Sequence, residues 1–388
     1  QSQQLNTSGS QNVSVGSNAL QKNTTAFGNV AIGYLAMRDN TTGLQNTAVG
    51  SASLLANTTG ASNVVIGLQA LTANLTGSQN IALGYQALLT ATSVSDNVAV
   101  GYRALNLNTI GTPNTAVGTQ AMQNNTTGSN NTALGYLALT SNTVGTQSVA
   151  VGHRALTTQT STVVGNTALG YQAGAANTVG TITAVGYQAL NANTTGINNT
   201  ALGKSALEVN TTGSRNVALG RHTLLANTTG SNNIAIGEST LTNSTSTSDN
   251  TAIGIFTLAA LTSGNLNNAI GNNALGALIT GTSNTALGEE AGTLLITGSS
   301  STLIGFKAGN NLSTSSNSIA IGANTNFSSA TANNQLVIGN VLYGTGLGSG
   351  ANPSAGGRIG IGTSSPLNAL QVYGSDIRIG ANTTGCVL

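Results

Sequence analysis

The sequence predicts an all-β fold, a parallel β-solenoid or β-roll of about twenty coils, and three observations predict it. A glycine closing a short apolar run recurs from Gly16 to Gly339 at a spacing of 17, broken by one step of 18 (Gly152 to Gly170) and one of 16 (Gly170 to Gly186). The residue before that glycine is Val, Ile or Leu in all twenty repeats, and the one before it is Ala in sixteen. Between the runs lie Asn, Thr and Gly, the chemistry of turns, and charged residues make up only 5% of the chain. Few charges and many small polar residues would by themselves point to disorder, but 39% of residues are hydrophobic and they keep a fixed interval, as a disordered chain has no reason to do.

With Asn46 as phase 1, the stretch NTAVG (46–50) occupies phases 1 to 5 and NTTG (57–60) phases 12 to 15. The first reads as a short strand, β-branched and punctuated by Asn and Gly. A second extended piece is expected at phases 6 to 9, as in YQAL (85–88), before a turn whose Gly at phase 15 suits a positive φ. The 18 and 16 spacings cancel, so a bulge is expected there, with the register restored after it.

A 17-residue unit cannot bury a core alone, so the units must stack, with parallel strands about 4.8 Å apart. Twenty such coils would reach roughly 95 Å. A strand sends alternate side chains to opposite faces, and here both faces are apolar or small. One fills the coil; the other needs cover from outside, and the nearest supply is another copy of the chain. The Ala and Gly stripe would let backbones approach closely, so a parallel homotrimer is expected, with the face at its axis left open. Residues 1–339 form this solenoid. The segment 340–357 reads as a Gly-rich linker, and 358–388 as a small C-terminal β cap with Ala369, Leu370, Val372 and Ile377 for its core.

Equal phases form columns. Phase 1 gives an Asn column that includes Asn46, Asn63, Asn80, Asn97, Asn114 and Asn131. Phase 12 gives another, through Asn40, Asn57 and Asn74; stacked amides can bond along such ladders. N-T-T is also formally a glycosylation acceptor, although a turn ladder explains its periodicity. Phase 6 carries Tyr34, Tyr85, Tyr102, Tyr136, Tyr171 and Tyr187, then Lys204, Arg221, Glu238, Glu289 and Phe306. A column holding Tyr and both charge signs faces solvent. Its rings either shield the backbone or recognise a partner, stacking on sugars or docking a receptor.

Catalytic chemistry is sparse. Most of the eight carboxylates are isolated, Glu289 and Glu290 would point to opposite sides of a strand, and His153 and His222 are too far apart to share a metal. GTGLGSG (344–350) does not match a dinucleotide fingerprint. No catalytic residue, metal site or cofactor is expected. A net charge of +2 with scattered Lys and Arg leaves no footprint for nucleic acid. No apolar run reaches the roughly 18 residues of a membrane span, so no membrane insertion is expected. Cys386 is the single cysteine. A first residue other than Met fits removal of a signal peptide or upstream segment, although a cut end would look the same.

The NTAVG and NIALG strands resemble the repeats of trimeric autotransporter adhesin heads, which are left-handed parallel β-rolls, but the period of 17 is longer. NTTGxxNTAxG repeats leading into GRIGIGTSSPLNALQVYGSDIRIG (357–380) are more similar to repeat-containing phage tail-fibre-like proteins. In these, the corresponding region precedes an endosialidase-type intramolecular chaperone that assembles the trimer and cleaves itself off. The resemblance implies an extracellular, non-enzymatic fibre, on a virion tail or a bacterial cell surface, that attaches to a host-surface glycan or receptor. The alternatives are a secreted subunit of a self-assembling bacterial filament and, last, an ice-binding solenoid built on the phase-13 column that includes Thr24, Thr41, Thr58, Thr126 and Thr194.

Overall fold

The computed structural model describes residues 3–160, 164–346 and 357–373, and its chain divides into two compact units, 1–212 and 213–388. Both are parallel β-solenoids, and no helix occurs among the described residues. In the first unit twelve short strands run from Val13–Val15 to Asn199–Leu202, each paired in parallel with the next. Phase stacks on phase: Thr47 pairs with Val64, Ala48 with Val65, Val49 with Ile66. In the second unit the same ladder runs from Val217–Leu219 to Leu336–Ile338.

The irregular spacings leave the strands in register, since Thr167 pairs with Val149 on one side and Thr183 on the other. The compensation lies in the turn. Six positions separate the Asn columns in a regular coil, as from Asn57 to Asn63, but seven separate Gln159 from Asn166 and five separate Asn177 from Ile182. The middle of the longer turn, 161–163, lies outside the described residues.

Each coil has one strand, not two. Phases 6 to 11 form a turn in which phases 7 and 9 are left-handed: Ala52 has φ 53° and Leu54 φ 49°. Stacking holds these residues there, because the Ala52 N–H donates to Tyr34 O in the preceding coil (2.8 Å) and the Leu54 N–H to Ala70 O in the following one (3.0 Å). The phase-15 glycines do not take the expected positive φ; phase 17 does, as at Ser62 (φ 58°). Gly60 is required for space, since a Cβ there would sit 2.2 Å from Gly77 O.

The interior is thin. Ala48 from the strand meets the turn's phase-8 residue and Leu54, all buried, with the two Asn columns at the edges. Phase 3 points into this narrow coil and is Ala in most repeats, while the strand residues at phases 2 and 4 point outward. This corrects the expectation that the Ala stripe would serve contacts between chains. Exceptions at phase 3 show how the volume is conserved: Leu303 replaces Ala where Gly292 and Gly309 replace Leu at phase 9, and a Cβ on either glycine would meet the Leu303 side chain within 2.8 Å. Interiors this dense tolerate no void.

Past the second ladder, part of the expected linker is a strand. Leu342–Thr345 pairs antiparallel with Leu336–Ile338, Arg358–Ile361 pairs antiparallel with it, and Leu370–Val372 runs parallel to Arg358–Ile361. Leu370 is exposed and Val372 half-buried; Ile377 and Cys386 lie outside the described residues.

Candidate recognition surface

The phase-1 side chains Asn46, Asn63, Asn80, Asn97, Asn114 and Asn131 are all buried. The Asn63 Oδ1 accepts from the Asn80 N–H and Nδ2 (both 3.0 Å), while its own Nδ2 donates to Asn46 Oδ1 (3.0 Å) and Gly77 O (2.9 Å). At phase 12, Asn57 Nδ2 donates to Asn40 Oδ1 (2.7 Å) and Gly60 O (2.9 Å). The Asn of each NTT acceptor motif in these coils is therefore an interior group with its amide engaged. The phase-13 hydroxyls are engaged as well: Thr24, Thr41, Thr126 and Thr194 each donate to the carbonyl of the next coil at 2.9–3.0 Å.

The six tyrosines are exposed, from 37% at Tyr85 to 56% at Tyr34. They sit just after the closing glycine, where the chain leaves the strand and the side chain projects from the coil's corner. Because coils repeat in phase, the rings stack on one another. Tyr85 and Tyr102 have centroids 5.4 Å apart and planes 12° apart. A longer run joins Tyr136 to His153 (5.2 Å), His153 to Tyr171 (5.1 Å) and Tyr171 to Tyr187 (5.1 Å), and the Lys204 ammonium lies 5.8 Å from the Tyr187 centroid. His153, weighed in the sequence only as a metal ligand, is a member of this aromatic column; its phase, one past Gly152, was the available signal. A ring in mid-stack has both faces covered by its neighbours and offers a ligand its edge and polar tip. The Arg103 guanidinium lies 5.3 Å from the Tyr102 centroid, so a cation sits at one end of each stack, whereas Tyr34 stands apart, with Ser17 and Ser51 as its neighbours in the column.

In the second unit charge enters the same column and the position that follows it in the turn. Arg221 pairs with Glu238, and the Lys307 ammonium lies 5.1 Å from the Phe306 centroid and 3.4 Å from Glu290 Oε2. Glu289 and Glu290 follow the strand Thr285–Leu287 and belong to the turn, not to opposite faces of a strand as expected. In the first unit Asp39 accepts from Arg38 Nη2 (2.6 Å) and Lys22 Nζ (2.8 Å). The hydrogen bond from Arg38 holds its carboxyl below the usual carboxylate range, with Lys22 adding to the effect and partial burial opposing it. No group of three or more His, Cys, Asp and Glu side chains converges among the described residues, and no described helix is long and apolar enough to cross a membrane.

The strand's outer face is a second uniform surface. Phases 2 and 4 carry Val64 and Ile66, Ile81 and Leu83, Val98 and Val100, all exposed or half-exposed. Val15, Leu134, Leu169 and Leu202 continue it in the first unit, and no charged residue enters it there. Phase 4 is Val, Ile or Leu in every coil and phase 2 is Thr in half of the first unit's coils, so the face is an uncharged stripe, apolar along phase 4, of the kind that marks contact surfaces. No protein-family model and no curated protein matches the sequence.

Proposed function

We propose that the protein is a non-enzymatic structural and adhesive fibre in which three parallel copies cover one another's apolar strand faces. The fibre projects from a virion or bacterial cell into the extracellular space and attaches to host-surface glycans. The observation that carries this reading is the uncharged stripe along the outer strand face, Val, Ile or Leu at phase 4 of every coil and Val, Ile or Thr at phase 2 of the first unit. Its length over twelve coils, about 50 Å at the strand spacing, suits a partner of the same period, and a second copy of the chain has that period. Resemblance of the repeats to those of phage tail-fibre-like proteins supports a fibre of this architecture, carried on a virion or on a bacterial cell surface. The amides of the two Asn columns and the phase-13 hydroxyls are engaged within the stack, which leaves recognition to the remaining groups of the turn surface and its aromatic column. Binding of the assembled protein to an array of host-cell glycans tests the adhesive role. The Tyr85→Ala/Tyr102→Ala variant keeps the β signature and loses binding if the column takes part. Undiminished binding in that variant refutes a role for this ring pair, and absence of binding to any glycan refutes the adhesive reading.

A further inference from the structure

A groove of about 370 Å³ crosses three coils of the first unit on the turn surface, lined by Arg154, Thr157, Gln172, Ala175, Ala176 and Asn191 among others. It runs beside the His153, Tyr171 and Tyr187 stack, whose residues immediately precede Arg154, Gln172 and Gln188 in the chain. Within the first unit, departures from the repeat converge on this place. Phase 9 is Leu or Met in every other coil of the unit but Gly174 here, and phase 10 is larger than Ala everywhere but at Ala175. Ile182 replaces the ladder Asn and compensates inside the coil: a Cβ on Gly174 would lie 2.6 Å from its Cδ1. The interior thus remains filled while the outside is hollowed by two successive alanines between Thr157 and Asn191. The 18 and 16 spacings flank the same coil. In a uniform repeat, local departures compensated elsewhere are where function is expected.

The groove's chemistry is specific. Arg154 is exposed and forms no ion pair among the described residues. Gln172 Oε1 accepts from Gln188 Nε2 (3.0 Å), which leaves the Gln172 amide nitrogen as a donor. Thr157 and Thr158 hydroxyls donate to Arg154 O (2.7 Å) and Ala175 O (2.9 Å). The free donors are therefore a guanidinium at one end and amides along the wall, above a floor of alanine methyls. Lys204 and Glu208 both lie one coil beyond the far end, and Arg154 is the charged residue that lines the groove itself, so an anion is directed to the Arg154 end. We infer that this groove binds a carboxylated pyranose, with the carboxylate on Arg154, the hydroxyls on Gln172 and Asn191, and the sugar's C–H face on Ala175 and Ala176. The span of about 9.6 Å across three coils and a volume within the usual range for small-ligand sites admit an oligosaccharide segment.

This inference rests on the proposed glycan attachment and is tested separately from it. The assembled protein is titrated by calorimetry with oligogalacturonate, with sialyllactose, and with their neutral counterparts, the methyl-esterified oligomer and lactose. Two variants copy residues that other coils already carry: Arg154→Gln, as at Gln86 and Gln120, and Ala175→Leu, as at Leu55 and Leu89. Both are expected to retain the β circular-dichroism signature. Binding of either acidic sugar, at least about tenfold tighter than its neutral counterpart, weakened by a similar factor in Arg154→Gln and abolished in Ala175→Leu, supports the assignment. Which acid binds identifies the source, uronate or sialate. No binding of either acid, or binding unchanged in both variants, overturns it. Neutral glycans that bind wild type and both variants equally would overturn the groove while leaving glycan attachment standing.

Discussion

Truncating one ladder amide, Asn63→Ala, removes four hydrogen bonds at once, and the structure tells which losses matter. Gly77 O still accepts from Asn74 Nδ2 (2.9 Å), Asn46 Oδ1 still accepts from the Asn63 N–H (2.9 Å), and Asn80 Nδ2 still donates to Val94 O (2.7 Å). The Asn80 N–H alone loses its acceptor, in a fully buried residue. An orphaned buried donor costs about 1–3 kcal/mol, and the weakened bonds around it bring the expected loss to about 2–5 kcal/mol. Coils contact only their neighbours, so the effect stays local and global melting is the wrong assay. Native-state hydrogen exchange read by mass spectrometry should show peptides covering residues 63–97 exchanging roughly 30-fold faster or more. Asn63→Ser supplies the control, because Ser occurs at phase 1 and the Ser301 hydroxyl accepts from the Ser318 N–H at 3.3 Å. Its exchange should fall between wild type and the Ala variant. Exchange less than about twofold faster in Asn63→Ala, a change of under about 0.5 kcal/mol, or a Ser variant as fast as Ala, would refute the ladder's energetic role.

Gly50→Ala should open its coil, since φ is 132° and the new Cβ would lie 2.6 Å from Gly67 O; Gly165→Ala, with φ 80° and nothing within 4 Å, should do much less, both read by the same exchange measurement. Val49→Asp with Ile66→Asp should disperse the assembly in sedimentation velocity while leaving circular dichroism unchanged, because both side chains point out of the coil. For Asp39, the folded pKa lies below the unfolded one, so its contribution is fully present above the ordinary carboxylate value and fades as pH falls through the folded value. Exchange protection near Lys22, Arg38 and Asp39 should hold from pH 7 to 5 and decline only below about 4, and Asp39→Asn should remove that decline.

The period, the strand at phases 2 to 4 and both Asn columns were legible because each is a local pattern repeated many times. The second strand was misread because YQAL has no sign of a turn: Gln and Leu are not residues from which positive φ is expected, and the hydrogen bonds of adjacent coils impose it. Which face of the strand lies outside was left open for a related reason. Val and Ile at phases 2 and 4 look like core, but the coil's narrowness, visible only once the turn is folded against the strand, admits Ala48 and turns Val49 outward. Gly60 was identified as necessary for the wrong reason, conformation in place of space. The groove at Ala175 was present in the sequence as a Gly-Ala-Ala interruption, yet only the structure shows that Ile182 fills the interior and leaves the hollow outside.

Everything proposed about function begins with the uncovered apolar face, so the most direct test is the absolute mass of the purified chain by light scattering coupled to size exclusion. The account predicts a mass of three chains of 38.2 kDa each. A single chain, stable and monodisperse at that mass, would contradict it, because the Val, Ile and Leu stripe would then stand in water without a partner.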